Sequence, residues 1–153
     1  MLISVIRACV AGLIFAALAS AAMAVNVPAA DGQYGVPYQR ELGKSCLGSA
    51  CSVGFPAVAA KRRLDLSLVN CAALGNGSLA SIAVFLIDAG GDPILSHELV
   101  LAQTIGGGET RRLFSEPVEI SASPGRHIRI SVLLNSGAAG LRCSIFGTLV
   151  VLP

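Results

Sequence analysis

The chain has no tryptophan and little aromatic or charged character. Among 153 residues, 5% are aromatic and 13% are charged. Sugar-binding modules usually stack the sugar ring on exposed tryptophan or tyrosine, so this composition gives a carbohydrate ligand only weak support. The net charge of +2 is spread without a clustered basic face. Because a nucleic-acid partner requires such a face, we expect none.

The groupings that carry catalysis or bind metal are also missing. The only two histidines are His97 and His127. His97 has the strand parity of Leu95 and Leu99, which predicts a buried, neutral imidazole bonded to the backbone. Glu98 would point to the opposite face of that strand and could not assist it. There is no Gly-x-Ser-x-Gly elbow, so we expect no enzyme activity, no cofactor and no metal.

Residues 1–24 have the pattern of a secretory signal peptide. A start with a single charge, Arg7, precedes an unbroken apolar run over residues 8–19, and Ala22–Ala24 is a small-x-small triplet. This pattern predicts a leader helix that is removed before Val25. The run is shorter than the roughly 20 apolar residues of a membrane span, so we expect no span after cleavage. The product would be secreted or periplasmic.

Cleavage would leave 129 residues, ten basic and nine acidic, which suits one domain with one core. Residues 25–44 are rich in proline, glycine and alanine and contain both tyrosines. This segment predicts an extended N-terminal arm. Residues 45–153 are then the folded domain.

Four cysteines remain after cleavage: Cys46, Cys51, Cys71 and Cys143. In an oxidising compartment an even set predicts two disulfides, with three pairings open. We favour Cys46–Cys51, which a turn would bring together, and Cys71–Cys143, which would tie distant strands. Zinc is the alternative, but the Cys-x2-Cys spacing that usually presents thiolates is absent.

The favoured long-range disulfide has a geometric cost. Cys71 shares strand parity with the polar residues Arg63 and Asp65, whereas Cys143 shares it with apolar neighbours. A one-residue shift moves every side chain to the other face of a sheet. We therefore expect a bulge or turn near Val69-Asn70.

Short apolar segments separated by Gly/Pro turns predict an all-β fold. We expect an antiparallel β-sandwich of about seven to nine strands, with jelly-roll and immunoglobulin-like arrangements both open. Residues 81–88 are apolar on both faces, as in a central strand. Residues 94–103 predict one strand. Across Pro124-Gly125 the parity of the two flanking segments disagrees, so these strands are offset by a bulge or lie in different sheets.

The sequence has more apolar strand positions than a small sandwich needs to bury, and this excess favours an interaction function. The segments at residues 82–87 and 149–152 are apolar on both faces, more than a small sandwich needs. We expect a non-catalytic interaction or structural module whose partner is an unknown protein or a second copy. The alternative is a small-ligand or carbohydrate-binding domain that uses the glycine-rich loops at residues 75–77, 89–92 and 106–108, as loops at one end of a sandwich.

Overall fold

The computed structural model describes residues 35–106 and 110–153, and within them all regular structure is β. The expected leader, residues 1–24, lies outside the described residues. No helix in the described part is long and apolar enough to span a bilayer. The described residues form nine strands: β1 (Gly35–Cys46), β2 (Ala50–Gly54), β3 (Arg62–Gly75), β4 (Leu79–Ile87), β5 (Pro93–Glu98), β6 (Leu101–Ile105), β7 (Thr110–Ala122), β8 (His127–Leu134) and β9 (Ala139–Val151).

The strands form two antiparallel sheets, which confirms the predicted β-sandwich. One sheet has the order β1-β9-β3-β7-β6 and the other β2-β8-β4-β5. The pairs β1–β9, β2–β8, β3–β7 and β4–β5 are nested along the chain, and this is the strand order of a jelly roll. Of the two arrangements left open by the sequence, the structure is therefore the jelly roll. Strand β6 is an addition to the eight strands of the jelly roll.

The second half of the expected N-terminal arm is a strand of the domain. Strand β1 pairs with β9 along its whole length, from Gly35 opposite Val150 to Cys46 opposite Ala139. Apolar and polar residues alternate only weakly along β1 because it is an edge strand. Tyr38, Leu42 and Cys46 pack against the core, while the residues between them are exposed. Residues 25–34 lie outside the described part of the chain.

The prediction of one strand over residues 94–103 is wrong. Strand β5 lies in the four-stranded sheet and β6 in the five-stranded sheet, and the chain crosses between them at Leu99 and Val100. Leu99 is buried, and its amide donates to the carbonyl of Ile82. The leucines on both sides of the crossover share one strand parity, so the sequence pattern does not reveal that the chain changes sheet.

The core lies between the sheets and follows the period-two pattern. Strand β8 alternates most regularly, with Ile128, Ile130, Val132 and Leu134 buried and the residues between them partly exposed. Burying one such side chain contributes about 1.5–3 kcal/mol. Strand β4 lies between β8 and β5, which confirms the predicted inner position of residues 81–88. Strands β7 and β8, on either side of Pro124-Gly125, lie in different sheets, which explains their mismatched parity.

Both favoured disulfides are present. Cys46–Cys51 has a Cα–Cα distance of 5.5 Å and links β1 to β2, hence one sheet to the other. Cys71 and Cys143 are directly opposite in the β3–β9 register, with their Cα atoms 4.1 Å apart. This bond therefore joins neighbouring strands within the core of the five-stranded sheet.

The bulge required by the second disulfide is also present. The register of β3 against both neighbours shifts between Leu66 and Leu68, which leaves Ser67 unpaired. The buried side of β3 changes there, from Leu64 and Leu66 to Val69 and Cys71. The shift lies slightly before the expected Val69-Asn70 position and brings Cys71 to the same side as Cys143.

Gly147 permits this bulge, and we expect its replacement by alanine to be costly. A Cβ at Gly147 would lie 2.2 Å from the carbonyl oxygen of Asp65 and 2.9 Å from the Cα of Leu66, both backbone atoms that cannot rotate away. Gly147→Ala should therefore reduce the free energy of unfolding by about 2–3 kcal/mol in urea titrations. Gly54→Ala is the matched control, since no atom lies within 4 Å of its added Cβ. Equal effects of the two substitutions would contradict this account of the bulge.

Candidate functional site

Five of the nine exposed large apolar side chains in the described part of the chain lie on one side of the sandwich, along β5 and β6. We call this surface the β5–β6 edge. Its large apolar side chains are between 43% and 69% exposed. They are Ile94, Leu95, Val100, Leu101 and Ile105. A run of exposed apolar residues along two adjacent strands is characteristic of an interaction surface in a soluble domain.

The backbone along this surface is also open. Among the described strands, β5 pairs only with β4 and β6 only with β7, so each presents an unpaired edge. Edge strands are usually protected by charge or proline. At the opposite border of the five-stranded sheet, β1 contains Pro37, Arg40, Glu41 and Lys44. Strand β6, Leu101–Ile105, contains neither a charge nor a proline. Strand β6 is therefore the less protected of the two border strands of the five-stranded sheet.

A histidine–carboxylate pair holds the crossover between β5 and β6. His97 Nε2 on β5 lies 3.1 Å from Glu116 Oε1 on β7, so the contact joins the two sheets. The second carboxylate oxygen, Oε2, accepts a hydrogen bond from the Val100 amide at 2.6 Å. Glu116 thereby binds both the end of β5 and the start of β6. This arrangement links the crossover to β7.

Hydrogen bonding lowers the pKa of Glu116 below its usual value of 4.5. The largest cause is the Val100 amide, which favours the ionised carboxylate, and His97 acts in the same direction. Partial desolvation opposes both. A carboxylate with a lowered pKa stabilises the fold above the pKa of the unfolded chain. That stabilisation is lost as the pH falls through the folded pKa.

We therefore expect the stabilisation by Glu116 to disappear in acid. At pH 6, Glu116→Gln should lower the free energy of unfolding by about 1 kcal/mol, since the pair is partly exposed to solvent. The difference between the variant and the parent should close as the pH falls through the folded pKa of Glu116, because both side chains are then neutral. Urea titrations between pH 3 and pH 6 test this. Glu119→Gln on the same strand is the control, and a gap that stays constant with pH would contradict the assignment.

The prediction of a buried His97 bonded to the backbone is wrong. Its side chain is 41% exposed and bonds to a carboxylate rather than to the backbone. The partner, Glu116, comes from another sheet, so neighbouring residues gave no signal for it. His127 is half-buried at the start of β8. Within residues 35–106 and 110–153, no three His, Cys, Asp or Glu side chains are grouped to hold a metal ion.

The glycine-rich loops do not form one site. Gly75 lies opposite Thr110 and Ala139 at one end of the sandwich. Strand β4 then runs the length of the second sheet before residues 89–92 begin, so these residues lie at the other end. Gly106 is at the first end, and residues 107–109 lie outside the described part of the chain. The expectation that all three loops share one end is therefore wrong.

A shallow groove lies on the outer face of the five-stranded sheet. It has a volume of about 470 Å³, and Asn70, Ser115, Ser144 and Arg142 contribute to its lining. Arg142 pairs with Glu41 across it. Its one aromatic lining residue, Phe114, is 2% exposed and offers no ring for a sugar to stack on. The β5–β6 edge is therefore the better candidate for an interaction site.

No protein-family model and no curated protein matches this chain. Among solved structures, it is similar to a chain from Bacillus endospore appendages, which form a family of disulfide-linked pili, with a TM-score of 0.35 and 10% identity over 82% of this chain and 96% of that chain. It is also similar to a chain of infectious bursal disease virus, Gt strain, with a TM-score of 0.24 and 8% identity over 84% and 46% of the two chains.

Proposed function

We propose that this chain is an exported, non-catalytic β-sandwich protein that acts as an interaction or structural module. In this proposal the β5–β6 edge pairs with a second copy of the same chain. The observation that carries the proposal is the combination of exposed apolar side chains with unpaired backbone on β5 and β6. Strand addition at such an edge uses backbone hydrogen bonds for affinity and alternate side chains for specificity.

The two disulfides support export. Disulfides persist in oxidising compartments, such as the bacterial periplasm and the extracellular space, and are rare in the cytosol. Both bonds involve well-packed positions: Cys51, Cys71 and Cys143 are buried and Cys46 packs against the core. A folded domain that depends on these bonds is suited to the periplasm or the outside of the cell, in agreement with the predicted leader.

The chemistry of β6 supports a second copy as the occupant. In a twofold dimer, β6 of one copy would pair antiparallel with β6 of the other. Any charge on the strand would then lie near a like charge of the second copy. Strand β6 has the sequence Leu-Ala-Gln-Thr-Ile and carries none. Such a pairing would join the five-stranded sheets of two copies into one continuous sheet. It would also cover the apolar side chains at Leu101 and Ile105.

Sedimentation velocity of the mature chain tests the proposal. Between about 1 μM and 1 mM the protein should shift from monomer to dimer, since affinities in this range are usual for modest interfaces. A chain that remains monomeric throughout the range would rule out pairing with itself. If replacing a residue of the β5–β6 edge makes sedimentation independent of concentration, the contact between the two copies lies at that edge.

A further inference from the structure

A small apolar slot opens between the two sheets on the side opposite the β5–β6 edge. Its volume is about 160 Å³. Leu64 and Leu149, which are opposite each other in the β3–β9 register, line it from the five-stranded sheet. The coil at residues 56–59 lines it from the other side. That coil is held in place at Val58, whose amide donates to the Arg126 carbonyl at 2.8 Å and whose carbonyl accepts from the Gly125 amide at 2.9 Å.

Two arginines and a tyrosine complete the lining of this slot. Arg40 and Tyr38 lie on the side of β1 that faces the second sheet, and Arg62 begins β3. No acidic side chain is among the lining residues that the structure describes. The nearest carboxylates along these strands are engaged elsewhere, Asp65 with Arg63 and Glu41 with Arg142. Among the described residues, the slot therefore combines an apolar interior with two arginines and no acidic side chain.

The size of the slot limits what it can hold. A cavity of about 150 Å³ is large enough for benzene, so this slot suits an apolar group of about six carbon atoms. The guanidinium groups favour a carboxylate, which they can bind with charge-assisted hydrogen bonds. An amphipathic ligand would satisfy both features at once. A neutral apolar molecule would leave the positive charge without a partner.

We propose that this slot binds a small organic carboxylate with a branched aliphatic or aromatic group of about six carbons. The apolar group would lie between Leu64, Leu149 and the 56–59 coil, and the carboxylate would meet Arg62, which lies two residues before Leu64 on the same strand. This inference is independent of the β5–β6 edge, which lies at the other border of both sheets. Edge variants should therefore leave ligand binding unchanged.

Titration of the isotopically labelled mature chain with sodium 4-methylpentanoate, followed by NMR, tests the proposal. We expect saturable shifts at Tyr38, Leu64 and the 56–59 coil. The neutral isostere 4-methylpentanamide should bind at least tenfold more weakly. In Arg40→Gln/Arg62→Gln the carboxylate should lose at least tenfold in affinity, while the thermal midpoint stays close to that of the parent because both arginines are exposed.

Two further variants separate a built site from general attraction of anions. Arg142→Gln removes an exposed guanidinium outside the slot and should leave the affinity unchanged. Ala57→Leu fills the slot without altering its charge and should abolish binding. Equal affinities for the acid and the amide, or equal affinities in the parent and the double arginine variant, would overturn the proposal.

Discussion

Removing the Cys71–Cys143 disulfide should cost the domain about 4 kcal/mol of unfolding free energy. The two cysteines are 72 residues apart, so their bond restricts a large loop of the unfolded chain. The chain-entropy estimate for a loop of this length is about 4 kcal/mol. Because domains of this size are stable by only about 5–15 kcal/mol, Cys71→Ala/Cys143→Ala should be close to unfolding at physiological temperature. Urea and thermal unfolding of the double variant measure the loss.

The other disulfide provides the matched control. Cys46 and Cys51 are five residues apart, and the same estimate gives only about 2 kcal/mol for so short a loop. Cys46→Ala/Cys51→Ala should therefore retain a cooperative transition at a moderately lower denaturant midpoint. If the short-loop variant were the less stable of the two, the link between β1 and β2 would matter more than loop entropy, and this ranking would be wrong.

Two lysines on β6 should abolish association through the β5–β6 edge. Leu101 and Ile105 are 43% and 44% exposed, so Leu101→Lys/Ile105→Lys should change monomer stability little. In a pairing of β6 with itself, the new charges would face like charges across the interface and would keep it solvated. We expect the dissociation constant, measured by sedimentation velocity, to rise at least a hundredfold.

Leu133 provides the control for this variant, since its side chain is 45% exposed on β8, outside the β5–β6 edge. Leu133→Lys should associate as the parent does. Equal weakening by both changes would indicate a general effect of charge on solubility. Unchanged association in the β6 variant would locate the contact elsewhere on the molecule.

The sequence predicts the architecture well where strands are buried on one face. Period-two patterns identify β8 and the second half of β7, and the parity conflict between Cys71 and Cys143 predicts a bulge that the structure has at Ser67. The parity conflict across Pro124-Gly125 likewise predicts the separation of β7 and β8 into different sheets. Such arguments succeed because a core-facing position tolerates no slip of register.

The candidate site is harder to predict because it depends on contacts distant in sequence. The crossover at Leu99 and Val100 is hidden by the shared parity of Leu95 and Leu101, although the unbroken apolar run at residues 99–102 signals a break in alternation. The pairing of His97 with Glu116 requires the two sheets to be placed together first. Strand β1 is missed because its inward positions alternate between apolar and cationic residues, as an edge strand allows.

Amide hydrogen exchange of β6 tests the central claim most directly. In dilute monomer, the outward-facing amides of Leu101–Ile105 should exchange rapidly, because β7 is the only one of the described strands that is bonded to β6. At concentrations where the chain associates, these amides should become protected, while those of Leu47 and Gly48 in the exposed turn between β1 and β2 exchange as before. Protection confined to β6 and β5 is the result that we predict. Association without any change in β6 exchange would contradict the account.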